Sequence, residues 1–86
     1  MEAESPRIPS PEEMEEESRR IRRLRIAVHL ALSCIAEGGM SLEEARGLAE
    51  VTRKAALKLF PGKGPTFDLI YAPKFERMIR EVYGYF

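Results

Sequence analysis

Residues 26–36 read IAVHLALSCIA, eleven positions in which only a histidine, a serine and a cysteine interrupt the aliphatic side chains. A membrane span needs about 20 such residues, so this run suits a buried helix instead. Working outward from it, the apolar positions keep a helical period. Met14, Ile21, Leu24, Val28, Ala31, Leu32 and Ile35 fall within about 100° of arc at 100° per residue, a single stripe. Upstream, Ser10, Pro11 and Glu13 form a helix start: a capping hydroxyl, a proline suited to the first turn, and a glutamate placed to close a capping box. Downstream, Gly38 and Gly39 end the pattern. The expectation is one helix over 11–37, roughly 40 Å long at 1.5 Å per residue.

The next start repeats that grammar. Ser41 caps, Glu44 closes the box, and Met40 is placed to staple onto Ala45. Ala45, Leu48, Ala49, Thr52, Ala55, Ala56 and Leu59 then continue as one stripe, giving a helix over 42–60 that Pro61 and Gly62 stop. Its alanines allow close approach of another helix. Thr66 is expected to cap a short helical turn near 66–72, broken at Ala72 ahead of Pro73. Phe75, Met78, Ile79, Val82 and Tyr83 give a last helix over 73–83, closed by Gly84. No strand alternation and no repeat interrupts this reading. The fold class is all-α: a small three-helix bundle with a long N-terminal helix and an additional short helical turn. Residues 1–9, with Pro6 and Pro9, read as a flexible tail, and 10–86 as a single domain.

The chain has 86 residues, enough for one core that buries roughly 64% of the unfolded surface. Fourteen basic and fourteen acidic side chains cancel. Bulk attraction to nucleic acid or membrane is therefore no argument. The zero is an average, however. Residues 1–18 hold seven Glu and one Arg, a balance of −6, while residues 19–25 hold five Arg and no acid, +5. Cys34 is the lone cysteine. Without staples a small domain fits a reducing, cytoplasmic compartment. The absence of a membrane-length apolar run points away from a membrane.

Candidate chemistry is sparse. His29 and Cys34 lie about 140° apart around the helix, which does not aim them at one point. No N/S ligand set suggests a metal, and no cofactor motif is seen. The loop 61–66 holds Gly62, Lys63 and Gly64, which look like a phosphate loop. The length, the Gly-Lys-Ser/Thr order and the preceding strand are missing, so loop geometry explains it better. All seven aromatics lie between Phe60 and Phe86. Most should be core, with the position of Tyr85 and Phe86 open. An enzyme is not expected.

What stands out is excess apolar surface on helix 1. Beyond the main stripe, Ile26, Ala27, Leu30 and Cys34 lie on the other side, and two covering helices leave an open face. The expected function is a non-enzymatic protein-association domain that forms a homo-oligomer, most simply a dimer, through helix 1, with an unknown protein partner as the other option. Ile21, Leu24, Ile26, Leu30 and Cys34 are the expected interface. Arg19, Arg20, Arg22, Arg23 and Arg25 are the expected electrostatic contacts. They pair either within the helix, as Glu15–Arg19 and Glu16–Arg20, or across an antiparallel pair of helices centred near Ser18. The alternative is a nucleic-acid-associated regulator using the arginine collar 19–25. The acidic head beside the collar and the spread of the arginines make nucleic acid the weaker partner.

Overall fold

The computed structural model describes residues 8–84, and four helices run in order: α1 (Pro11–Ala36), α2 (Leu42–Leu59), α3 (Gly64–Ile70) and α4 (Ala72–Tyr83). No strand occurs among the described residues. The chain is an all-α bundle with a long first helix. Of the expected tail, residues 1–7 lie outside the described part, while Ile8 and Pro9 are exposed. Tyr85 and Phe86 also lie outside it.

Both expected capping boxes form. Glu13 N–H donates to Ser10 Oγ at 3.1 Å, and Ser10 N–H donates back to Glu13 Oε1 at 2.9 Å. Ser41 and Glu44 do the same at 3.0 and 2.9 Å. Each box satisfies two amide donors that a helix start otherwise leaves to water. Gly38 ends α1 with φ +77°, a conformation that costs other residues energy.

The core collects where α1, α2 and α4 meet. Val28, Ala31 and Ile35 come from α1, Ala45 and Ala56 from α2, Phe67 from α3, and Phe75 and Ile79 from α4. Ile35 is wholly shielded from solvent. Among the described residues Thr52 is buried and polar, and its hydroxyl donates to the Leu48 carbonyl at 2.7 Å. That bond removes the cost of burying the hydroxyl. The small residues of α2 let the large side chains of α1 and α4 approach. Tyr83 Oη donates to the Met40 carbonyl at 2.7 Å, which pins the end of α4 to the turn between α1 and α2.

Three expectations need correction. The short element begins at Gly64, earlier than expected, and Thr66 does not cap it: Lys63 stands at the N-cap without a side-chain bond. The reason is Pro65, whose absent N–H and fixed φ suit a first helical turn. The helix break also falls on Tyr71 rather than Ala72, because Pro73 sits in the first turn of α4. The α1 stripe, likewise, does not bury along its whole length. Met14 and Ile21 are exposed, and the core begins only at the half-buried Leu24. The N-terminal half of α1 therefore projects from the bundle. The Cα radius of gyration is 16.6 Å, against about 12 Å for a compact chain of this length.

Candidate interaction surface

The row Ile26, Leu30 and Cys34 stands at i, i+4, i+8 on α1 and faces away from the core. Ile26 is 52% and Leu30 57% exposed, and Cys34 is an exposed free thiol. The row lies about 130° around the helix from the centre of the core stripe at 100° per residue. The covering helices do not reach it. α2 and α4 pack on the opposite side of α1, and α3 packs on α2 and α4 without a helix contact to α1. The short helix 64–70 is thus no lid for this face.

Of the five expected interface residues, the structure brings these three together and separates two. Ile21, 37% exposed, and the half-buried Leu24 turn toward the bundle. There they line a mostly apolar groove of about 380 Å³ with Leu57, Phe60, Ile70 and Tyr71. The groove lies where the backbones of α1 and α3 stay apart.

The charged half of α1 arranges itself within the chain. Glu16 lies between two arginines, with Arg19 Nη2 at 3.6 Å and Arg20 Nη1 at 3.7 Å from its two oxygens. The expected Glu16–Arg20 pair forms, whereas Arg19 turns to Glu16 instead of Glu15. Arg20 also crosses to α2, its guanidinium carbon 5.8 Å from the centre of the Phe60 ring. Its Nε is shielded there without a hydrogen-bond partner. Arg22, Arg23 and Arg25 are exposed and spread over about 160° of arc. The collar is therefore divided: two arginines are engaged by the chain itself, and three point in different directions.

A second polar site lies on the other side of the bundle. A cleft of about 690 Å³ between α2, α3 and α4 holds Arg46, Glu50, Arg53, Asp68, Glu76 and Arg80. Its centre is a two-bond fork. Arg53 Nε donates to Asp68 Oδ1 at 2.7 Å, and Nη2 donates to Oδ2 at 3.0 Å. The hydrogen bond from Arg53 holds the Asp68 carboxyl below its ordinary range, and the same bond raises Arg53. The fork also explains one glycine of the loop that looks like a phosphate loop. A Cβ on buried Gly64 would stand 2.9 Å from Arg53 Nη2. Gly62 answers a different need, a φ of +80°.

Sequence reasoning missed the fork and the Arg20–Phe60 contact, since both join residues far apart in the chain and no local period encodes them. Among the described residues no cluster of His, Cys, Asp and Glu is arranged to hold a metal ion. Nor is any helix among the described residues long and apolar enough to cross a membrane. Comparison with known protein families, with curated proteins and with solved structures gives no match to this chain.

Proposed function

We propose that the protein is a small helical association domain that pairs with a second copy of itself through the outer face of α1. The observation that carries this reading is the uncovered row Ile26, Leu30 and Cys34. Two large aliphatic side chains and a thiol stand together on a rigid helix with charged residues around them. Removing such a row from water is favourable at about 25 cal/mol per Å² of apolar area. A partner helix fits a row of this shape, because side chains four apart lie one above the other. A free surface thiol fits a reducing, cytoplasmic compartment.

Ile21 and Leu24 belong to the groove in this account and not to the interface. The arginine collar serves the helix and its partner. Nucleic acid is the less favoured partner, because Glu16 and Phe60 already engage Arg19 and Arg20. No catalytic role is assigned, and no cofactor is invoked. Light scattering over a dilution series in reducing buffer tests the reading. A mass that climbs above 9.8 kDa with concentration supports it. A one-chain mass throughout sinks it.

A further inference from the structure

The outer face of α1 is longer than its apolar row. Arg23 precedes the row and Glu37 follows it, both exposed. Arg23, Ile26, Leu30, Cys34 and Glu37 fall within about 80° of arc at 100° per residue, one seam along the helix. The seam is self-complementary when reversed about Leu30. Arg23 and Glu37 each stand seven residues from it, and Ile26 and Cys34 each stand four residues from it.

From this symmetry we infer that the second copy docks antiparallel with Leu30 on the two-fold axis. The inference rests on the self-association reading and adds its register. Leu30 then meets Leu30, each Ile26 meets the other copy's thiol, and Arg23 of each chain meets Glu37 of the other. Two apolar steps are thereby flanked by two opposite-charge pairs. A parallel pair would set Arg23 against Arg23 and Glu37 against Glu37, which repels at both ends. Charge complementarity thus selects both the occupant, a second copy, and its direction. The register centred near Ser18 competes with it. That register needs the collar arginines for the partner, whereas Glu16 engages two of them within the chain. It also leaves Ile26 and Leu30 without apolar partners.

Two sets of variants of the full chain read the register. In the first, Cys34→Ser is combined with either Leu30→Cys or Ser18→Cys, and each protein is oxidised gently with a glutathione couple. The two-fold places Leu30→Cys thiols opposite one another, so this protein forms a covalent dimer. Wild-type Cys34 does not, because its two copies are about 12 Å apart along the axis, beyond the roughly 7 Å limit for a disulfide. A covalent dimer of the Ser18→Cys protein, with none from Leu30→Cys, overturns the register.

The second set reverses the charges. Arg23→Glu alone and Glu37→Arg alone each weaken the dimer about tenfold, and the double reversal restores it. Both positions are exposed, and an arginine at the C-cap of α1 favours the helix dipole, so folding is preserved. A double reversal no tighter than the single ones overturns the register. These failures are distinct from failure of the parent reading, which is a wild-type chain that stays a monomer.

Discussion

Arg53 on α2 and Asp68 on α3 meet in a parallel fork, 2.7 Å at Nε and 3.0 Å at Nη2. The fork ties the seven-residue α3 to the bundle, and such a short helix has little stability of its own. It also gives the docking of α3 a defined pH dependence. Asp68 titrates lower in the folded chain than in the unfolded one. Its contribution is therefore present above the unfolded value near about 3.9. It is lost as pH falls through the still lower folded value. Amide protection factors in α3, corrected for the intrinsic pH dependence of exchange, should fall on acidification below about pH 4, and Asp68→Asn should remove that step.

Gly64 should behave differently depending on Arg53. In the wild-type chain, Gly64→Ala pushes its new methyl against the guanidinium and opens the fork. In an Arg53→Ala background the guanidinium no longer opposes the methyl, so the cost of Gly64→Ala should shrink. A double-mutant cycle on urea midpoints should show coupling between the two positions. Additive effects would mean that the fork does not govern Gly64.

Tyr83→Phe removes one hydroxyl and leaves the ring in place. The Met40 carbonyl then loses its 2.7 Å donor. The expected loss is about 1 kcal/mol, or roughly 4–8 °C in Tm for a domain of this size. Thermal unfolding by circular dichroism measures it, with the helical content at low temperature unchanged.

Ile35→Val trims one methyl from the side chain at the centre of the core. The cost should be about 0.5–1.5 kcal/mol. That is a noticeable share of the total for 86 residues, of the order of 4–13 kcal/mol. Chemical denaturation should show a lower midpoint at an unchanged slope.

Local signals carried most of the fold. Both serine caps, the stop at Gly38 and the alanine face of α2 are set by neighbours within four residues, and periodicity reads such distances. The start of α3 was misread because Thr66 and Pro65 both fit a helix start, and the proline takes the first turn. The depth of α1 in the core was overestimated for a different reason. Met14 and Ile21 keep the period, but Met14 extends past the end of α2, which reaches only to Phe60 beside Arg20, and Ile21 borders an open groove. The open row Ile26, Leu30 and Cys34 was legible from the surplus of apolar residues. The turn of Ile21 and Leu24 into a groove was not, since it depends on where Phe60 and Tyr71 lie. Arg53–Asp68 required the α2–α3 turn to be known.

In the proposed dimer, α1 pairs with a second copy through the row at Leu30. Sedimentation equilibrium of the full chain in reducing buffer, beside a Leu30→Glu variant, tests it most directly. Leu30 is 57% exposed, so the glutamate should leave the folded bundle intact in a parallel melt by circular dichroism. The wild-type mass should rise toward twice 9.8 kDa with concentration, and the variant should remain a single chain. A wild-type chain that sediments as a monomer at every concentration, or a Leu30→Glu protein that dimerises equally well, contradicts the claim.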